Sequence, residues 1–431
     1  MTVFEAGPLR GGVRVAGDKS ISHRALMFAA IAHGTTLVEH PNRGADVLTT
    51  RDAVEALGAR VDDRGEVIEI TGSGLHNPTA VIDAGNSGTT SRLMMGLCAG
   101  QGLTVTFDGD ASLRRRPMER IAKPLRAMGI AVDTSDGKLP VTVHGITDVP
   151  GGEFALAMPS AQVKSAILLA NLRARGNVRV TGDAFSRDHT ERMLRHFGRT
   201  IAFDGRTIVL EPGELTAQRV RVPADISAAA FFLVAAAITP GSDVLLHDVG
   251  VNPTRTGILD ILKAMGADVT RENERDLDGE PVADLHVRYK PLRAATIAGE
   301  LVVRGIDEVP IVAVAAAHAV GTTHIRDAAD LRAKESDRLR AMSTTLAACG
   351  VAVTEHDDGL DVTGGTAHVP ERTLEAFDDH RIAMAIAALA APTGAHAVDD
   401  AACVAISYPA FEHDWRGLQQ RAAPAAPHPP R

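Results

Sequence analysis

Stretches of mostly Ala, Leu, Ile, Val and Met alternate along the chain with short polar strings, and each apolar stretch leads to a glycine followed by a β-like run. The glycines are Gly34, Gly100, Gly176, Gly241, Gly321 and Gly394. Successive ones lie 65 to 80 residues apart, and a polar residue stands 14 to 16 positions before each: Ser20, Asn86, Ser160, Asp225, Asp307 and Asp379. A period of this size marks a repeated supersecondary unit. The chain reads as six copies.

The texture of the copies predicts their elements. Runs beginning at Ala25, Ser165, Ala228 and Ala383 are alanine-rich and apolar on nearly every side, which predicts buried helices, each ended by its glycine in the left-handed conformation. Strand-like runs follow from Thr35, Leu103, Asn177, Asp243 and Thr322. A second, amphipathic helix closes five copies, with a capping glycine at Gly58, Gly129, Gly198, Gly266 and Gly350 and a return strand behind it. The unit is therefore βαβαβ in outline, one helix buried and one half exposed.

At 431 residues the chain exceeds one ordinary core and suits two domains of three copies, or three of two. With 45% hydrophobic residues it is an ordinary soluble globule, and 3% aromatics leave little for stacking bases. Cys98, Cys349 and Cys403 lie inside the repeats without CxxC spacing, which fits a reducing cytoplasm and argues against disulfides and zinc. The N-terminus has no apolar signal core, and the apolar runs are too short and interrupted to span a bilayer. The stretch 422–431, rich in Ala and Pro, reads as a disordered tail.

Charge narrows the partners. Against 54 Asp and Glu stand 45 Lys and Arg, a net charge of −9, so the overall basic footprint of a nucleic-acid binder is missing. At the polar heads the balance inverts: Lys19, Arg24, Arg92, Arg115, Arg116, Lys164, Arg187, Lys334, Arg338 and Arg381 gather there. Cations at a helix N-terminus add to its positive dipole end, an arrangement that calls for an anion between them. Backbone N–H groups and guanidinium forks together bind phosphate or carboxylate. Each cation alone reads as a solvated surface charge; their recurrence at equivalent places reads as a site.

The heads themselves, beginning at Gly17, Gly85, Arg114, Pro159, Ser186, Asp307, Arg332 and Phe377, resemble in order those of the 5-enolpyruvylshikimate-3-phosphate synthase family (3-phosphoshikimate 1-carboxyvinyltransferase), from about residue 8 to about residue 415. The resemblance implies a two-domain inside-out α/β fold. It would have six βαβαββ repeats, three per domain, with the N-termini of the buried helices pointing at the interdomain cleft. Residues 1–18 with 223–431 would form one globule and 19–222 the other. It also implies transfer of the enolpyruvyl group of phosphoenolpyruvate to the 5-hydroxyl of shikimate 3-phosphate, with release of phosphate, in chorismate and aromatic amino-acid biosynthesis. No cofactor or metal, no nucleic-acid or membrane partner, and a monomer are expected.

Carried over residue by residue, Lys19 lies between both substrates, and Ser20 and Arg24 hold shikimate 3-phosphate. Asn86, Gly88 and Arg116 match the phosphoenolpyruvate phosphate side. Ser160, Ala161 and Gln162 match the shikimate-phosphate loop, with Gln162 also near phosphoenolpyruvate, and Ser186 or Arg187 completes that pocket. Asp307 matches the proton acceptor and Glu335 the proton donor to the methylene carbon; Lys334 contacts shikimate phosphate or its hydroxyls. Arg338 and Arg381 match the pair on the phosphoenolpyruvate carboxylate.

Blander readings stand beside these. Asp307 suits a helix cap, and Glu335 with Arg338 suits an i, i+3 surface pair. His23, His189 and His380, in separate copies without ligand spacing, suit hydrogen-bonding support, and Cys98 suits the core. Two positions depart from the family's best-known pattern: Ile406 stands where many members have a lysine, and Asp330 where others have Asn. Several strings resemble the branch that tolerates glyphosate, yet Gly88 is retained where an alanine methyl would crowd that inhibitor, so glyphosate is expected to compete with phosphoenolpyruvate. UDP-N-acetylglucosamine enolpyruvyl transfer and a non-enzymatic repeat scaffold remain the alternatives. The first usually shows a reactive Cys in the loop at Asp110, absent here; the second would spread its charges along a face.

Overall fold

A computed structural model describes the chain except residues 73, 157–158, 183–186, 366 and 422–431, so Ser186 and the expected tail lie outside the described residues. The six apolar stretches are the helices Lys19–Ile31, Gly88–Gly100, Ala161–Ala170, Ile226–Ile238, Val309–Ala317 and His380–Thr393. Every residue of Ile226–Ile238 and Val309–Ala317 is buried. A helix with no exposed face must be walled by protein all round, and small side chains make the walls possible. The chain divides into two compact units, one of Met1–Ala16, Ala224–Arg275 and Pro281–Arg431, the other of Gly17–Pro223 and Asp276–Glu280. The last three helices share the hydrophobic core of the first unit and the first three that of the second.

Around the helices, among the described residues, lie one sheet of five strands, two strand pairs and four sheets of four strands. In one, Ile82–Asp83 runs parallel to Thr104–Asp108, which pairs antiparallel with Lys138–His144, itself antiparallel to Ala131–Ser135. With the intervening helices Gly88–Gly100 and Glu119–Ala127 this is βαβαββ, one strand more than the texture of the sequence predicts. The sixth copy keeps its buried helix while its sheet is reduced to Thr2–Phe4 paired with His396–Val398. Behind it the helix Phe411–Gln420 packs Phe411 and Trp415 against Phe232.

The second-helix formula is observed in all five copies. Gly58, Gly129, Gly198, Gly266 and Gly350 all have positive φ and turn the chain into a strand, a backbone conformation that glycine adopts without strain. The first formula needs correction. Only Gly394 directly follows its helix with positive φ (132°). Gly34, Gly241 and Gly321 are left-handed but lie a few residues beyond their helices, and Gly100 and Gly176 are not left-handed.

Gly100 has a different task. With Gly96 one turn earlier, it lays the backbone of Gly88–Gly100 directly on that of Ala161–Ala170: a Cβ would stand 2.3 Å from the Ala166 carbonyl oxygen at Gly96 and 2.2 Å from that of Ala170 at Gly100. Neither backbone can yield locally, so Gly96→Ala must force the helices apart, at a cost of about 1–3 kcal/mol. Gly417, by contrast, sits mid-helix in Phe411–Gln420 with nothing within 4 Å of its would-be Cβ, and Gly417→Ala should add about 0.5–1 kcal/mol. Urea denaturation followed by circular dichroism should move the midpoint in opposite directions for the two variants; shifts of the same sign would refute the packing argument.

Candidate active site

Five of the six buried helices begin on a side-chain cap. Asp18, Ser87, Ser160, Asp225 and Asp379 accept the backbone N–H of Ile21, Thr90, Val163, Ser227 and Arg381 respectively, satisfying donors that no helical carbonyl reaches. Among the described residues, Val309–Ala317 has no such cap, and a 3₁₀ turn, Ile306–Glu308, leads into it instead. Asp307 therefore does not serve as the helix cap that its position suggests.

In the second unit the cations form two knots. In one, the buried Arg24 donates through Nε to Thr190 Oγ1 (2.7 Å), and through its two terminal nitrogens to the Ser20 carbonyl (2.9 Å) and Ser165 Oγ (2.9 Å). Burial brings this guanidinium down to about 10, and Arg187 adds to the fall, while Glu191, Asp18 and Glu280 oppose it. Lys164 is buried against Glu191 (2.6 Å) and donates to the Arg187 carbonyl (2.7 Å). Lys19 pairs with Asp46 at 3.0 Å. His23 accepts or donates at Thr50 Oγ1 (2.7 Å). Its ring is held well below the ordinary value by burial, then by Lys19 and Arg24. His189 meets Glu280 at 2.7 Å.

The other knot joins Asn86, Arg116, Arg92 and Gln162. Arg116 donates to Asn86 Oδ1 at 2.6 Å, Asn86 donates to Asp110 Oδ2 at 2.7 Å, and Arg92 donates to Gln162 Oε1 at 3.0 Å. Gln162 in turn donates to Thr89 Oγ1 at 3.3 Å. Gly88 lies beneath Arg92, and a Cβ there would meet the Arg92 guanidinium at 2.7 Å. An alanine would thus strike the protein's own arginine, whatever it does to a ligand.

In the first unit, acid and base gather around Asp307. Arg338, only 2% exposed, donates to Asp379 (Nε to Oδ2, 2.8 Å) and Glu335 (2.7 Å), and reaches Asp307 Oδ1 at 3.5 Å. Lys334 lies 3.1 Å from Asp330 and 3.7 Å from Asp307. Arg381 donates to the Asp307 carbonyl at 3.0 Å, with its guanidinium 3.9 Å from the carboxylate. Burial alone would lower the Arg338 pKa; Asp379 and Glu335 outweigh it and hold the guanidinium above its ordinary value. The Glu335–Arg338 pair exists, but Arg338 is in the interior, so it is no surface pair. His380 is buried next to Asp379, 4.0 Å from its carboxylate.

The structure thus brings Asp307, Lys334, Glu335, Arg338 and Arg381 into one constellation, while Lys19, Ser20, Arg24, Gln162 and Arg187 belong to the knots of the other unit, where Ala161 opens the helix Ala161–Ala170. Four of the head cations, Lys19, Lys164, Lys334 and Arg338, also have carboxylate partners within the protein, which the sequence pattern does not show. Sequence reasoning missed Arg255 and Glu308, both buried beside Asp307. Glu308 adjoins a residue already singled out; Arg255 precedes a second helix, where no head was sought. Ile406 ends the 3₁₀ turn Ala402–Ile406, half-buried. Cys98 and Cys349 are buried and Cys403 partly so. Burial raises the Cys349 thiol to about 11; with nearby carboxylates it raises Cys403 to about 12. Among the described residues no group of His, Cys, Asp and Glu is arranged to hold a metal ion, and no helix is long and apolar enough to cross a membrane.

Comparison with known proteins gives a consistent result. The family model described as EPSP synthase (3-phosphoshikimate 1-carboxyvinyltransferase) matches residues 3–415. The 3-phosphoshikimate 1-carboxyvinyltransferase of Gloeobacter violaceus is 50% identical over 430 residues, covering 97% of this chain and 99% of the relative. That of Geobacter sulfurreducens is 50% identical over 414 residues, covering 94% and 96%. Among solved structures, an EPSP synthase from Acinetobacter baumannii superposes with a TM-score of 0.85 at 42% identity, covering 97% of this chain and 98% of that one.

The Arg338–Asp379 pair sets a pH dependence. Burial pushes the Asp379 carboxyl up, but Arg338, helped by His380, outweighs it and holds the group below the ordinary carboxylate value. A depressed carboxylate contributes stability that is present above its unfolded value, about 3.9, and is lost as pH falls through its folded value. Removing one partner of a buried pair costs about 3–5 kcal/mol. Asp379→Asn should therefore lose that much at pH 7, with the gap to wild type narrowing below about pH 4. Trp415, the single tryptophan, is buried in the same unit and reports the transition by fluorescence in urea; a gap that does not change with pH would refute the assignment.

Proposed function

The chain belongs to the EPSP synthase family, 3-phosphoshikimate 1-carboxyvinyltransferase, and we propose that its residues divide the enolpyruvyl transfer from phosphoenolpyruvate to shikimate 3-phosphate as follows. Lys19, Ser20, Arg24, Ser160, Ala161, Gln162, Ser186 and Arg187 hold shikimate 3-phosphate; Asp307 and Lys334 address its hydroxyls and phosphate. Asn86, Gly88, Arg116 and Gln162 take the phosphate end of phosphoenolpyruvate, Arg338 and Arg381 take its carboxylate, and Lys19 lies between the two ligands. The observation that carries this reading is the constellation around Asp307. A carboxylate among four cations (Arg255, Lys334, Arg338 and Arg381, at 3.5 to 4.0 Å) with a second carboxylate, Glu335, on Arg338 supplies what the reaction asks for.

The chemistry follows from those roles. Glu335 gives a proton to the methylene carbon, which leaves the adjacent carbon electron-poor. The 5-hydroxyl oxygen bonds to that carbon while Asp307 accepts its proton. The resulting tetrahedral adduct carries carboxylate and phosphates that the surrounding cations balance in a partly desolvated site. Loss of a proton from the new methyl group expels phosphate and restores the enol ether. The two compact units are the two globules of the family fold, and three free thiols suit a reducing cytoplasm.

Two measurements test this. Phosphate release with phosphoenolpyruvate should occur with shikimate 3-phosphate and not with UDP-N-acetylglucosamine, and Lys19→Ala and Asp307→Ala should each lower it by about 100-fold or more. Release with the nucleotide sugar alone would overturn the reading. In Gly88→Ala, displacement of Arg92 from Gln162 should raise KM for phosphoenolpyruvate several-fold and weaken competition by glyphosate along with it. A variant with both values unchanged would sink the steric argument.

A further inference from the structure

Glu308 is a buried carboxylate next to Asp307, and its neighbours account for its charge. Ser227 Oγ donates to Glu308 Oε1 and accepts from Arg255 at 2.5 Å, while Arg255 and Arg381 stand 3.7 Å and 3.9 Å from the same carboxylate oxygen. Arg255 also lies 3.7 Å from the capping carboxylate of Asp225 and 4.0 Å from Asp307 Oδ2. Arg255 and Arg381 are thus shared between two adjacent acids, and Ser227 bridges one of them to Glu308. A buried ionised carboxylate without such partners would be expelled or neutralised.

We propose that Arg255 and Glu308, bridged by Ser227, are positioning residues for the reaction: they fix Asp307 and Arg381 from behind and set how readily Asp307 takes a proton. The proposal rests on the reading of Asp307 as proton acceptor. Arg255 and Glu308 need not touch substrate. Glu308 draws part of the field of Arg255 and Arg381 away from Asp307, keeping that carboxylate basic enough to accept; Arg255 keeps two neighbouring carboxylates ionised side by side.

Among the described residues, charged groups from several elements face Asp307. Glu308 shares its turn, Arg255 precedes the helix Gly257–Ala264, Lys334 follows the 3₁₀ turn Ala329–Ala333, Arg338 opens the helix Arg338–Ala348, and Arg381 is in the first turn of His380–Thr393. Asp225 sits behind Arg255, Asp330 behind Lys334, and Glu335 and Asp379 behind Arg338. Removing one negative or one positive member should move Asp307 in opposite directions. Without the Glu308 charge, the net field on Asp307 is more positive and it holds a proton less well. Without the Arg255 charge it holds one better.

The test is the acid limb of kcat against pH, measured by phosphate release at saturating phosphoenolpyruvate and shikimate 3-phosphate. The limb should move down by about one pH unit in Glu308→Gln and up by about one in Arg255→Gln. Arg255→Lys should return it to the wild-type position, with KM for both substrates little changed throughout. A purely structural role would lower the amount of folded enzyme and leave the limb in place. Should the glutamine variants fail to fold, Ser227→Ala, which removes the bridge and no charge, should lower kcat per folded enzyme several-fold with the limb unmoved, whereas a purely structural role would leave kcat per folded enzyme unchanged. An unchanged kcat or a displaced limb there would overturn the proposal. An active wild type whose limb stays put in both glutamine variants, or moves the same way in both, overturns this proposal alone. A wild type that releases no phosphate from the two substrates overturns the parent reading.

Discussion

A helix that is apolar on every side can present polar chemistry only at its ends. Three such helices fill each compact unit, with every side chain of Ile226–Ile238 and Val309–Ala317 buried. Alanine and glycine permit the density: Gly96 and Gly100 bring two backbones into direct contact. The helical carbonyls and amides satisfy each other along the interior, so what is left over, the first N–H groups and the dipole they carry, is concentrated at the N-terminal heads. The polar groups these helices can offer are confined there by packing.

Once cations join those heads, electrostatics has to balance. The protein does so with its own carboxylates, at two levels of burial. Arg338 and Asp379 are both withdrawn from solvent, and the pair is a fixed part of the unit. Lys19 with Asp46 and Lys334 with Asp330 and Asp307 are more open, with side-chain exposures of 17% and 26% for the lysines. Attraction between partly solvated charges is weak enough for an anionic ligand to compete for the lysine, whereas a buried arginine cannot leave its partner without stranding a charge. The same chemistry therefore yields a rigid pair at Arg338 and adjustable ones at the two lysines.

How far this could be read from sequence depends on what carries each feature. Period and texture located the six buried helices and the five capped second helices because both are local: apolar runs, a glycine, a strand. The extra strand of the βαβαββ unit is invisible in texture, and of the long, highly charged ribbon of Asp268–Leu277 with Glu280–Arg288 only the start behind Gly266 is legible as a return strand. Gly100 looked like a helix terminator because only distance from Ala170 shows its packing role. At the site, charged residues at heads were legible individually, and their partners were not. Asp46, Glu191 and Asp379 neutralise cations from other elements, and no spacing rule connects Lys19 to Asp46 or Arg255 to Glu308.

The copy that lacks a side-chain cap is the one that supplies Asp307. In the other five, the head's hydroxyl or carboxylate is committed to a backbone N–H, as Asp225 is to Ser227 and Asp379 to Arg381. In Val309–Ala317, Pro310 stands in the first turn and has no N–H to satisfy, while the preceding 3₁₀ turn continues the chain's own bonding into the helix. One fewer orphan donor at that end means a carboxylate can point elsewhere. Repetition gave every head the same positive end; a proline at one of them relieved a capping duty, and the acid so released lies where Arg255, Lys334, Arg338 and Arg381 converge. That convergence of charge sits where the repeat departs from its own rule.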